Sequence, residues 1–225
     1  MSALAPARPA RLMPQLVRWH LVVGELALRL FLLQLLWVLG TLAGAVVFGA
    51  LPATAALCTV LREDRLEQIA EEAGERPRPR PRLWKEFWGA WRKEFWRAHR
   101  LGGVLLLGWL LLALDRAVLT GVALGSIAPL VSGLVVVLTV VLVLLSAVVW
   151  PLAAHFADPI GRVLRMGLVL LLRRPSIALF TAVLLAATIW VAQTVPGLVP
   201  VFGIALPAWA VTRLMWRSGA MPLSS

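Results

Sequence analysis

Between Leu26 and Leu61 the chain stays apolar for 36 residues. As one straight helix that run would be about 54 Å long, against roughly 30 Å of hydrocarbon for a membrane span to cross. The run must therefore break. Gly49 and Pro52 are the available breakers, and Pro52 suits the first position of a new helix because it has no N–H to leave unpaired. This places a first span over about 26–48 and a second helix over 53–73. The second helix leaves the membrane, becomes charged at Arg62-Glu63-Asp64 and stops at Gly74.

Four further apolar blocks, about 101–119, 127–150, 176–195 and 198–214, repeat the pattern. Charged residues make up only 15% of the chain, where a soluble domain carries about 25%. The prediction is an all-α, polytopic transmembrane helix bundle of five spans. Residues 1–24 and 218–225 form tails around a single membrane domain, 25–217. The apolar run behind the N-terminal arginines exceeds the h-region of a secretory signal, so it reads as an uncleaved span.

Two segments are amphipathic without being long enough in apolar residues to cross. In LWKEFWGAWRKEFWRAHR (83–100), Trp84, Phe87, Trp88, Trp91 and Phe95 form one helical stripe. Basic residues lie mostly away from it, which fits an interfacial helix in the headgroup region; packing on the other cytoplasmic segment is the alternative. An Arg-Pro alternation over 76–82 excludes helix and sets an extended linker before this segment. The second amphipathic segment, 158–174, opens with Asp158 as N-cap and Pro159 as first helical residue. It too reads as interfacial, with a sixth crossing as the alternative.

The net charge of +11 in a soluble protein would point to nucleic acid. Here no nucleic-acid motif accompanies it, and the cations sit beside spans, where they set topology and meet anionic lipid. Segment 49–100 carries 11 Lys and Arg, segment 151–175 carries 4 and the C-terminal end 2, against 4 (Arg8, Arg11, Arg18, Arg116) on the other side. That count places the N-terminus outside, with both amphipathic segments and the C-terminus cytoplasmic.

Ionisable groups inside spans are costly and mark candidate sites. Glu25, Arg29, Gln34, Asp115, Arg116 and Gln193 all fall in the outer half of that topology. The simpler reading lets the charges snorkel to water. The sharper one pairs Arg29 with Asp115 between the first two spans, at the border of an outward polar pocket. Gly40 and Gly44 form a GxxxG step for close helix approach, within the chain in preference to a dimer seam.

Chemistry is less legible. The single cysteine, Cys58, allows neither an intramolecular disulfide nor a cysteine metal site, and His20, His99 and His155 match no ligand spacing. GxSxG, HExxH, P-loop and dinucleotide motifs are all lacking, so neither cofactor nor enzymatic activity is expected.

Four stretches carry a family likeness: Gly49-Ala-Leu-Pro-Ala-Thr-Ala-Ala56, Phe87-Trp-Gly-Ala-Trp-Arg-Lys-Glu-Phe95, Trp150-Pro-Leu-Ala-Ala-His-Phe156 and Leu170-Leu-Leu-Arg-Arg-Pro175. Together, in this order, they resemble the YesL-like bacterial membrane proteins of domain-of-unknown-function family 624, over about residues 25–217. The resemblance implies a multi-pass protein of the bacterial inner (plasma) membrane, often encoded beside carbohydrate uptake and polysaccharide-degradation systems. It implies no reaction and no site residues. The function expected is a non-enzymatic accessory or regulatory component associated with carbohydrate uptake, with the lipid bilayer and a sugar-transporter permease or other membrane protein as partners. A small-molecule transporter or channel is the alternative.

Overall fold

The computed structural model describes residues 12–75, 81–121 and 127–221, which are almost entirely helical and contain no strand. Eight α-helices follow in order: α1 (Leu12–Ala43), α2 (Val47–Glu72), α3 (Leu83–Gly121), α4 (Ala128–His155), α5 (Ile160–Arg173), α6 (Pro175–Thr194), α7 (Val199–Phe202) and α8 (Ala205–Arg217). Among the described residues four helices are long and apolar enough to cross a membrane, through Val23–Ala43, Leu83–Leu119, Ala128–His155 and Pro175–Thr194. A fifth crossing exists if the bent pair Pro196–Phe202 and Ala205–Arg217 counts as one span. The chain is thus an all-α bundle of four to five candidate spans. Most of the expected tail 1–24 lies outside the described residues or in α1, which already begins at Leu12.

The long apolar run does break, but not at Pro52. Pro52 lies inside α2, and the break falls at Gly44–Val46. There Val46 N–H donates to Thr41 O (2.9 Å) and Ala45 N–H to Leu42 O (3.0 Å), the paired bonds of a Schellman motif. The position that glycine usually fills is taken by Ala45, at φ 52°, and Val46 follows at φ 67°. Left-handed backbone is uncommon for alanine and an outlier for a β-branched residue. The stop that glycine signalled does appear at the other end of α2, where Gly74 adopts φ 79° and Glu75 N–H bonds Ala70 O.

Two glycines beside the turn make the reversal possible. A Cβ on Gly49 would lie 2.2 Å from Thr41 O, and one on Gly44 would lie 2.3 Å from Gly49 Cα. The backbones of α1 and α2 therefore touch where the hairpin closes. Gly40, one turn back, faces Ala53, Phe87 and Trp91, so α1, α2 and α3 meet on it. The GxxxG step of Gly40 and Gly44 thus serves packing within this chain.

The amphipathic segment 83–100 is not a separate interfacial helix. It continues without interruption into the following span as the 39-residue α3. Its aromatic stripe turns partly inward: Phe87 is fully buried against the α1–α2 hairpin, Trp88 and Trp91 pack on the same cluster, and Trp84 stays exposed. The rings form a ladder, with centroids 5.5 Å apart for Trp84–Trp88 and Trp88–Trp91 and 5.1 Å for Trp91–Phe95. Packing on other helices is the reading the structure favours for this stripe.

A second apolar cluster joins α4, α5 and α8 through Val148, Leu152, Val163, Leu171 and Met215. α5 begins at Ile160, after Pro159 and without a side-chain cap. Asp158 instead accepts from Arg162 (2.5 Å). Buried Val163, Gly167 and Leu171 give α5 a 3.6-residue apolar stripe that lies along α4. Arg97 of α3 donates to the carbonyls of Ala153 (2.8 Å) and Phe156 (2.6 Å). These are among the carbonyls left free where α4 ends, so a side chain from one helix closes the end of another.

Candidate functional site

The expected fifth span is discontinuous. Pro196–Leu198 forms a 3₁₀ turn, α7 follows, and the axis bends by 56° before α8. A break of this kind frees the first N–H groups of the new helix, which have no acceptor in the same helix. Gln34 of α1, 2% exposed, supplies one: its Oε1 accepts from Ile204 N–H and Ala205 N–H, each at 3.0 Å. Two backbone donors on one atom identify that atom as the amide oxygen. Gln34 is thus an N-cap delivered from another helix. Beside it an apolar cavity of about 380 Å³ lies between α1, α6 and the bend, lined by Trp37, Thr188, Val191 and Phe202 among others.

A second cavity, about 230 Å³, is the charged one. It lies where the middle of α1, the C-terminal half of α2 and α8 converge. Arg29 binds Asp64 through both ends of its fork, Nε to Oδ2 at 2.6 Å and Nη2 to Oδ1. The bidentate geometry is the strong form of the pair. Across the cavity, Arg213 donates to Gln68 Oε1 (3.0 Å), and its guanidinium lies 5.8 Å from the Trp209 ring centroid. Arg65 reaches Gln68 and Glu72, both at 3.3 Å. Arg29 and Asp64 match charge across two helices, Arg65 and Glu72 pair along α2, and the indoles of Trp209 and Trp216 line the side.

The pairing of Arg29 with Asp64 corrects the expected pairing with Asp115. Asp115 and Arg116 are exposed on α3, Glu25 is exposed on α1 and Gln193 is exposed at the end of α6. Of the six polar residues singled out, only Arg29 and Gln34 join the packed interior, each with its own partner. The expected outward pocket shared by all six does not form. Arg29 and Asp64 also lie at the same end of the hairpin, so one cannot sit in the outer half while the other is cytoplasmic.

Asp64, Gln68, Trp209 and Arg213 were not among the expected site residues. One signal for Asp64 existed: it stands 19 residues after Ala45 and Arg29 stands 16 before it, nearly symmetric about the turn. It becomes readable only once the turn is placed at Ala45. Arg29→Ala removes the bidentate partner of Asp64 and should lower stability by about 1–3 kcal/mol. The exchange Arg29→Asp with Asp64→Arg should recover part of that loss, and the exchange with Asp115→Arg should recover none. Thermal unfolding in detergent reads both.

Among the described residues no group of three or more His, Cys, Asp or Glu is placed to hold a metal ion. Cys58 is buried among α2 alanines and behaves as a small apolar residue. What the charged cavity offers is paired donors and acceptors on three helices. Such a set can tie helix ends together or hydrogen-bond a polar solute.

Known proteins place the chain. The family model described as "Protein of unknown function, DUF624" matches residues 30–116, from within α1 through most of α3. "Uncharacterized protein YesL" of Bacillus subtilis (strain 168) is 31% identical over 156 residues, which cover 69% of this chain and 68% of that protein. From the same organism, "Uncharacterized protein YteU" is 27% identical over 197 residues, 85% of this chain and 81% of the relative. "Uncharacterized protein YesV" is 25% identical over 179 residues, 80% and 81%. No solved structure matches. By its match to the family model and its likeness to YesL over two thirds of both chains, the protein belongs to the DUF624 family.

Proposed function

We propose that the chain is a non-enzymatic accessory or regulatory protein of a carbohydrate uptake system in the bacterial plasma membrane. One observation carries the non-enzymatic part. The main polar side chains that line the two cavities are spent on one another or on backbone: Arg29 on Asp64, Arg65 and Arg213 on Gln68, Gln34 on the start of α8. They act as ties, and they leave surface as the means of acting on a partner. The carbohydrate association rests on the family resemblance.

Orientation is part of the proposal. If Arg62–Arg65 are cytoplasmic, Arg29 lies on that side as well, and the tail with Arg8, Arg11 and Arg18 goes with it. With α2 crossing back as a further span and the bent α7–α8 pair crossing last, both termini are then cytoplasmic, and Arg116 is left as the one cation on the other side. This arrangement satisfies the positive-inside bias better than an external N-terminus does. A periplasm- or exterior-active reporter fused ahead of Met1 should be silent; strong activity there defeats the orientation.

A transporter remains the second reading, supported by the discontinuous α7–α8 element beside a cavity. Purification in native nanodiscs separates the two. A permease subunit at near-stoichiometric level is expected. A protein that purifies alone and moves a solute into liposomes is a transporter, and the accessory proposal falls.

A further inference from the structure

α5 is a 14-residue helix, about 21 Å long, joining two candidate spans, α4 and α6. It is too short to cross, so if its neighbours do cross, α5 is held at one membrane face. Its side chains are sorted into three rows. Val163, Gly167 and Leu171 are buried against α4. Leu168 and Leu172 are exposed, Leu172 at 71%. Arg162, Arg165 and Arg173, spaced i, i+3 and i+11, fall on a common face beside the exposed leucines.

That face borders an open groove of about 570 Å³, floored by Leu152, Met166, Val169 and Leu170 and flanked by Arg174. Arg162 is neutralised by Asp158. Among the described residues, Arg165, Arg173 and Arg174 have no ion pair or hydrogen-bond partner through their guanidinium groups. Three unpaired guanidinium groups around an apolar groove match an amphiphile with an anionic head. At a membrane face that amphiphile is a phospholipid. We propose that this groove binds an anionic phospholipid, its phosphate held by Arg165, Arg173 and Arg174 and an acyl chain lying on Met166, Val169 and Leu170.

A basic residue near an anionic membrane contributes a preference of roughly fivefold, so three acting together are expected to retain anionic lipid at least about tenfold over phosphatidylcholine. The full chain would be purified and placed in nanodiscs of phosphatidylglycerol and phosphatidylcholine. Lipid that stays bound is then counted by native mass spectrometry. Wild type should hold phosphatidylglycerol and lose the preference in the Arg165→Gln/Arg173→Gln/Arg174→Gln variant. The triple lysine variant should keep part of it, and equal melting of all three proteins in pure phosphatidylcholine shows that folding is intact. Inorganic phosphate should not displace the lipid. Equal retention of both lipids, a preference that survives in the glutamine variant, or occupation by phosphate alone each overturns the proposal. Retention of an acidic protein in place of lipid overturns it as well.

Discussion

Gln34→Leu is expected to weaken the fold by about 2–6 kcal/mol. The estimate comes from two backbone N–H groups, each costing about 1–3 kcal/mol when left without an acceptor, and more where no water can replace it. Gln34 Oε1 is the acceptor for both, and Ala205 is fully buried. Leucine preserves volume and apolar contact, so the loss isolates the cap. Gln34→Glu retains an acceptor at a helix N-terminus, where negative charge is favourable, and should retain much more stability than leucine does. Thermal unfolding in detergent, followed by helicity, reads the difference. Equal midpoints for wild type and Gln34→Leu would mean that the bend does not depend on this side chain.

The hairpin turn makes a second strong demand. Gly49→Ala puts a methyl group 2.2 Å from Thr41 O and 2.5 Å from Gly40 O. Both atoms are backbone and cannot swing aside, so α1 and α2 must separate. A cost of at least about 3 kcal/mol is expected, at the upper end for overpacking. Gly103→Ala is the matched control: it lies in α3 with nothing within 4 Å of the new Cβ. There alanine should be neutral or stabilising by up to about 1 kcal/mol through helix propensity. Folded yield and melting temperature of the two variants, measured side by side, should diverge. Similar behaviour would show that the turn relaxes easily.

These two positions also show what the sequence can reveal and what it hides. Blocks of apolar residues announce a helical membrane protein because hydrocarbon accepts helices and closed barrels alone. The stripe of Phe87 and its neighbours announces a helix by its period. It does not say which surface covers that stripe, and here α1 and α2 cover it in place of lipid headgroups. Proline is a strong local signal, and the sequence therefore points to a break in the long run at Pro52. The chain instead turns through Ala45 and Val46, residues with no such signal, and the two glycines that permit the turn stand on either side of it. With the turn at Ala45, the residue brought opposite Arg29 is Asp64 and not Asp115.

Gln34 was conspicuous as a polar residue in a span, but its role was not legible. Its partners are backbone groups about 170 positions away in sequence, and backbone groups leave no mark in composition or spacing. The same holds for Arg97, whose acceptors are the carbonyls at the end of α4. Both residues close helix ends that their own helices leave open, and both depend on tertiary placement.

The continuity of α3 has a mechanical consequence. A 39-residue helix is about 58 Å long, and its two halves grip different neighbours: the aromatic ladder holds the α1–α2 hairpin, while the apolar half runs beside α4. The geometry is that of a lever arm. A tilt of roughly 10° about its midpoint would displace each tip sideways by about 5 Å, around half the 8–10 Å spacing between packed helices. A push on exposed Trp84 at one tip would therefore reach Gly121 at the other as motion, with no ligand having to pass between them.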